Sequence, residues 1–290
     1  MLGEGLALLA AFCWATSAGF YKRSMKSVNP IGLNFVRSIP ATVFLFLMVL
    51  IFGKLNFFSV LDPLQALYVI GASFVSWFLG DTLYFVGLKS IGVSRAVPVS
   101  YSYPLFLLPM SVWFLREPFG YEVLVGTAMI VSAIWLISRS LDSGGSRDMR
   151  RTGFAASILA AFFWAIGISS FKHLMDFIDP VFLAFFRMLV LLPPLGLYST
   201  LSSSTKKSVL GMKREEIFLA AVGGVIGVGL GDMLYLMGLD LTEANIVGPL
   251  TATTPLFASV IAAAKLRERP NFETIIGIAL IAIGAALLSS

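Results

Sequence analysis

Apolar runs of about 20 residues follow one another along the chain, separated by short stretches rich in Lys, Arg, Gly, Pro and Ser. The runs cover roughly 3–22, 30–52, 64–88, 94–115, 120–138, 152–172, 180–201, 215–239, 244–265 and 272–289. At 1.5 Å per helical residue, each can cross a hydrocarbon layer about 30 Å thick. The pattern predicts an all-α integral membrane protein with ten transmembrane helices. Together the runs use most of the 290 residues, so no soluble catalytic domain remains. The first run lacks a basic leader, and a copy of it reappears in mid-chain, so it reads as a span and not as a cleaved signal peptide.

That copy belongs to a longer duplication. Residues 80–87 read "GDTLYFVG" and residues 231–238 read "GDMLYLMG". At this offset of 151, Pro98 meets Pro249, Pro104 meets Pro255, Arg116 meets Arg267 and Glu117 meets Glu268. Upstream, at an offset of 150, Trp14 meets Trp164, Lys22 meets Lys172 and Arg37 meets Arg187. Shared apolar bias would match Leu with Ala, but not this set of Trp, Arg, Asp, Pro and Glu. The sequence divides into a first five-helix repeat at 1–140, a basic linker at 141–151 and a second repeat at 152–290. Five is odd, so the second repeat enters from the opposite side and the two are inverted, a construction common among secondary transporters.

Charge sharpens the topology. The loops after spans 1, 3, 5, 7 and 9 carry sixteen basic residues: Lys22, Arg23 and Lys26; Lys89 and Arg95; Arg139, Arg147, Arg150 and Arg151; Lys206, Lys207, Lys213 and Arg214; Lys265, Arg267 and Arg269. The other face carries three, Lys54, Arg116 and Lys172. Basic loops stay cytoplasmic, which places the protein in the cell membrane with both termini outside.

Two arginines and two aspartates fall inside the apolar runs. Arg37 lies about seven residues into span 2 and Asp81 about seven before the end of span 3, equal depths on antiparallel helices. Arg187 and Asp232 repeat the arrangement. The spacing predicts ion pairs Arg37–Asp81 and Arg187–Asp232, each about 10 Å below one of the two faces. They either pin neighbouring helices or act as alternating gates or a proton relay. Tyr84 and Tyr235, three residues after each aspartate, share its helix face and are expected to cap the carboxylate.

The expected binding centre lies in spans 4 and 9, "AVPVSYSYPLFLLP" (96–109) and "VGPLTATTPLF" (247–257). Proline removes a helix hydrogen bond, so Pro98, Pro104, Pro249 and Pro255 are expected to break both helices. Ser100, Tyr101, Ser102 and Tyr103 on one side, and Thr251, Thr253 and Thr254 on the other, put hydroxyls near the midplane. They serve either a substrate or helix packing. Trp14 and Trp164 lie too deep for an interfacial belt and either wall the cavity or fill space. Arg116 with Glu117, and Arg267 with Glu268, read as local ion pairs. His173 reads as a loop or interface residue.

Composition removes other classes. The chain is 58% hydrophobic and 13% charged, with a mean hydropathy of +0.89 and a net charge of +5. A soluble domain carries about 25% charged residues. No basic stripe tracks nucleic acid. Cys13 is the sole cysteine, which excludes an internal disulfide and a cysteine metal site. No cofactor is expected. Gly223, Gly224, Gly227, Gly229 and Gly231 have neither a preceding strand nor a following Lys-Ser/Thr, so they read as close helix packing and not as a nucleotide loop.

The duplication and the motifs "LREP", "LRERP" and "FAASILAAFFWAIG" resemble the EamA branch of the drug/metabolite transporter superfamily. The resemblance covers nearly the whole chain and implies an exporter of amino acids or related metabolites. It also implies cytoplasmic termini, against the charge count. Small multidrug relatives depend on a glutamate buried in their first helix, whereas here Glu4 lies at the edge of span 1. The expectation is a secondary transporter that moves a small zwitterion or weak acid by alternating access. Its partners are the bilayer, the substrate, a coupled proton or counter-substrate, and a second copy of the chain docked through spans 5 and 10. Alternatives are an exchanger of phosphorylated or nucleotide-linked sugars, a passive channel and an intramembrane enzyme.

Overall fold

A computed structural model describes residues 1–57, 61–139, 147–266 and 272–288, and among these the regular structure is entirely helical. Six helical stretches are long and apolar enough to cross a membrane: Leu2–Ser24, Pro30–Ile51, Pro63–Ile91, Arg151–Leu174, Pro180–Leu201 and Arg214–Leu241. The other four runs are of two kinds. Residues 94–115 and 244–265 fall into helix pairs, Val93–Ser100 with Pro104–Trp113 and Ala244–Thr251 with Thr254–Leu266. Tyr121–Leu136 and Ile275–Leu288 are shorter apolar helices.

Local chemistry explains the helix starts. Asn29-Pro30, Asp62-Pro63 and Asp179-Pro180 each put a capping side chain before a proline in the first turn. Asn29 accepts from Gly32 N at 2.8 Å, and Asp179 accepts from Val181 N at 2.9 Å and Phe182 N at 3.2 Å. In Pro30–Ile51 every fourth residue from Leu33 through Arg37, Ala41, Leu45 and Val49 is buried, while Ile39, Val43, Leu47 and Leu50 are exposed. Pro180–Leu201 repeats this with Leu183, Arg187, Leu191, Leu195 and Ser199 buried and Leu189, Leu197 and Leu201 exposed. A spacing of four keeps one stripe of the helix facing inward. Each stripe carries its arginine to the interior and leaves an apolar face outward, as lipid requires.

The stretches Pro63–Ile91 and Arg214–Leu241 are not plain α-helices. Phe74–Gly80 and Gly224–Gly231 are π-helical, and each ends directly before an aspartate, Asp81 or Asp232. Such wide turns concentrate at functional sites. The glycines allow backbone-to-backbone contact here: a Cβ on Gly224 would collide with the Arg37 carbonyl.

The helix breaks fall at Pro104 and Pro255, which open the second member of each pair, after the turns at Tyr101–Tyr103 and Ala252–Thr253. Pro249 instead sits inside Ala244–Thr251. Pro98 falls within Val93–Ser100, with its side chain outside the described set. One broken span in each half thus needs one proline, since the helix can accommodate the other.

Contacts between helix ends order the bundle. Lys22 Nζ donates to Leu88 O at 3.3 Å, and Ser27 Oγ donates to Glu216 Oε2 at 2.8 Å. Lys172 Nζ donates to Leu239 O at 2.6 Å and Thr242 O at 3.1 Å, while Lys54 and Asp179 pair at 2.7 Å. The stretch Arg214–Leu241 carries Glu216 at one end and Leu239 at the other, so Ser27, just past the end of Leu2–Ser24, and Lys172, near the end of the equivalent helix, meet opposite ends of it. Helices Tyr121–Arg139 and Phe272–Leu288, expected to face lipid or a second copy, pack on each other. At Gly126 and Gly284 their backbones come so close that a Cβ on Gly284 would lie 2.9 Å from the Gly126 carbonyl.

Candidate functional site: a chamber between the halves

Both charged couples form, and both line the same cavity. Arg37 pairs with Asp81, and Arg187 Nη2 lies 2.9 Å from Asp232 Oδ2. None of the four side chains is more than 6% exposed. The cavity has a volume of about 80 Å³. This corrects the expectation of one couple beneath each mouth. Pro63–Ile91 runs three residues beyond the expected end of span 3, which puts Asp81 ten residues from its last residue, about 15 Å along the helix. The couples therefore flank one central space.

The geometry also explains the repeated "GD". Trp164 Nε1 donates to Asp81 Oδ1 at 2.8 Å, and Trp14 Nε1 donates to Asp232 Oδ1 at 2.7 Å. Each indole comes from the opposite half. A Cβ on Gly80 would lie 2.9 Å from Trp164 Cδ1, and one on Gly231 would lie 3.0 Å from Trp14 Cδ1. Glycine makes room for the ring whose N–H the next residue accepts. The tyrosines do not cap the aspartates as expected. Tyr84 packs on Trp164 with ring centres 5.1 Å apart, and Tyr235 packs on Trp14 at 5.2 Å. Trp outcompetes Tyr for the carboxylate because it reaches across from a facing helix, whereas Tyr shares the helix of the aspartate.

Tyr101 and Tyr103, in the turn of the first broken span, also line the cavity. The Tyr101 ring lies 5.7 Å from that of Trp164 and 6.3 Å from that of Trp14, an aromatic wedge between the halves. Tyr103 donates to Gly248 O at 2.9 Å and bonds Thr251 Oγ1, tying one broken span to the other.

Of the two roles expected for the smaller hydroxyls, the bonds they make fit helix packing. Ser102 donates to Val99 O at 2.6 Å, Thr253 to Leu250 O at 2.7 Å and Thr254 to Thr251 O at 2.7 Å. Pro255 has no N–H to offer Thr251 O, and the Thr254 hydroxyl takes its place. Ser100, Ser102, Thr251, Thr253 and Thr254 are buried outside the lining, as are Pro104, Pro249 and Pro255. Ser102, Thr251, Thr253 and Thr254 bond to carbonyls of their own spans, and none of these residues is in the chamber lining.

The expected Arg116–Glu117 pair is replaced by a cap. Glu117 Oε1 accepts from Ala244 N at 2.6 Å and Oε2 from Asn245 N at 3.0 Å, seating a carboxylate on the N-terminus of Ala244–Thr251 in the other half. Arg116 takes a φ of 56° to turn the chain there. Arg267 and Glu268 lie outside the described residues. His173 contacts Tyr68 and Phe177 away from the chamber.

Sequence reasoning missed Ser17, Ala18 and Tyr21, and likewise Ile168 and Phe171, all in the lining. Helical spacing pointed to them: they follow Trp14 or Trp164 by three, four or seven positions. Ser76, Trp77, Gly227 and Val228 were also missed because the π-helical turns shift which residues face inward.

Stacked apolar helices enclosing a chamber with paired charges define a multi-pass membrane protein. The sequence pattern of the EamA-like transporter family matches the chain twice, over residues 1–139 and 151–290, and the chain belongs to that family. It is 30% identical over 290 residues to an uncharacterized transporter of Archaeoglobus fulgidus, covering 99% of this chain and 98% of that one. A second uncharacterized transporter of the same organism is 25% identical over 281 residues, covering 96% and 95%. A solved crystal structure superposes with a TM-score of 0.80 at 19% identity over 98% of this chain and 95% of that chain, a likeness of fold. The protein is a membrane transporter.

Proposed function

We propose that the protein is a secondary active transporter that moves a small organic metabolite, a zwitterion or weak acid, by alternating access. The observation that carries this reading is a single chamber walled by both halves, in which each half supplies the indole that holds the other's aspartate. Each half crosses the membrane five times, with a broken pair counted as one crossing, and the halves are inverted. The contacts of Ser27 and Lys172 at opposite ends of Arg214–Leu241 support the inversion. The basic loops face the cytoplasm and the termini lie outside. Rocking one half against the other would open the chamber to each side in turn.

Two guanidiniums and two carboxylates leave the chamber with no net charge. A zwitterion preserves that balance in a low-dielectric space, whereas a phosphorylated sugar would bring uncompensated charge. Efflux is the proposed direction and a proton or exchanged solute the proposed coupling. Counterflow in proteoliposomes tests the reading: vesicles loaded with an unlabelled amino-acid mixture should accumulate labelled amino acid transiently and saturably. Uptake that neither saturates nor responds to the internal load would indicate a channel, and chemical conversion of the solute would indicate an enzyme.

A further inference from the structure

The two charged couples occupy equivalent positions in the repeats but differ in their partners. Arg37 donates from Nε and Nη2 to Asn34 Oδ1 at 3.2 and 3.0 Å in addition to pairing with Asp81. Its guanidinium lies 4.9 Å from the ring centre of Tyr21 and 4.6 Å from that of Phe85. Asn34 is itself held, through Nδ2, to Trp77 O at 3.0 Å. Arg37 is thus clasped.

Arg187 is fully buried, and its position has no such clasp, because the residue equivalent to Asn34 is Ala184. Arg187 Nη2 is 2.9 Å from Asp232 Oδ2, yet the N–H does not point at the oxygen. Neither that oxygen nor Nε, Nη1 or Nη2 makes a hydrogen bond. Trp77 Nε1 and the Tyr235 hydroxyl are also buried without a partner. The Trp77 ring centre lies 4.2 Å from the guanidinium, and all of these side chains line the chamber. Buried donors are almost always satisfied, so a group of this kind facing one cavity points to an acceptor that belongs there.

We infer that Arg187, Trp77 and Tyr235 form the subsite for a substrate carboxylate, and that Asp232 receives the ammonium of the same small zwitterion. A planar carboxylate offers two oxygens to the guanidinium fork and has lone pairs left for an indole N–H and a phenol O–H. Asp232 Oδ2, which lies against Arg187 without a hydrogen bond, supplies the acceptor for an ammonium, and the neutral balance of the chamber is kept. Arg37 and Asp81 are positioning residues in this scheme. The inference rests on the transport reading, but binding alone tests it.

The experiment is calorimetric titration of the full chain in lipid nanodiscs with glycine, alanine and serine, and with their amides, which keep the ammonium but lack the carboxylate. The amino acids should bind saturably, and the amides at least tenfold more weakly. Arg187→Gln should erase that preference. Trp77→Phe keeps an aromatic ring but loses the N–H with the five-membered half of the indole, so it serves where Arg187→Gln fails to fold. It should reduce the preference severalfold, a change that lost packing alone would not produce. Amides that bind as tightly as amino acids, a preference unchanged in Trp77→Phe, or no amino-acid binding at all would overturn the inference. Counterflow of other solutes despite absent amino-acid binding would leave the transport reading standing. Amino-acid binding without flux would leave the subsite standing and remove the transport reading.

Discussion

The Trp164 indole donates its N–H to Asp81 at 2.8 Å, joining residues 83 positions apart that belong to different halves of the chain. Trp14 and Asp232 form the same bond at 2.7 Å. The two bonds make the halves interdependent at the wall of the chamber, since each aspartate has an arginine from its own half and an indole from the other.

Removing one indole N–H therefore leaves a buried carboxylate short of a donor. Trp14→Phe and Trp164→Phe are each expected to destabilise the fold by about 1–3 kcal/mol, the loss typical of a hydrogen bond to a charged group. Thermal unfolding in detergent, followed by size-exclusion recovery, measures this. Unchanged midpoints in both variants would mean that the indoles only fill space.

The glycine before each aspartate should tolerate no methyl group. Gly80→Ala and Gly231→Ala place a Cβ within 3.0 Å of an indole ring, tighter than carbon atoms normally pack, so the ring must leave its aspartate. Both variants are expected to lose transport and chamber binding. Gly5→Ala and Gly71→Ala, where a Cβ meets nothing within 4 Å, should behave as wild type.

Glu117→Gln keeps an acceptor on Ala244–Thr251 but removes the charge that interacts with the helix N-terminus. A loss of about 0.3–1 kcal/mol is expected, rising to about 1–2 kcal/mol for Glu117→Ala. Arg116→Gly should act differently, raising the midpoint slightly because glycine adopts a φ of 56° without strain. Equal midpoints for Glu117→Ala and wild type would contradict the capping role.

Tyr103→Phe severs the tie from the first broken span to Gly248 O and Thr251. Interhelical bonds within membranes average about 0.6 kcal/mol, so stability should fall little. Exchange should rise more visibly: amide protection over 248–254 is expected to drop while that of Pro180–Leu201 stays unchanged. Equal protection in variant and wild type would show that the tie does not hold the break.

Much of this was legible in the sequence because duplication supplied its own control. The repeated Trp, Arg and Asp positions marked buried chemistry, and the helix depths paired Arg37 with Asp81 and Arg187 with Asp232 correctly by residue. That both couples would line one cavity was not legible, because helix depths compare residues within a half and not across the halves. Serine and threonine around the prolines looked like a lining because periodicity does not distinguish a hydroxyl bonded back to its own helix from one that faces a cavity. The indole–aspartate bonds were hidden for another reason. They cross between the halves, and an offset of 150 identifies equivalent residues, not touching ones. Trp77 escaped notice because its counterpart is Val228, so the comparison of repeats passed over it.

Accessibility of the chamber tests the central claim most directly. In a Cys13→Ser background, Ser76→Cys puts a thiol into the lining. A membrane-impermeant thiol reagent is then applied to right-side-out and to inverted vesicles. Alternating access around one chamber predicts modification from each side, slowed in both cases by a bound amino acid. Modification from one side alone under every condition, or from neither, would contradict it.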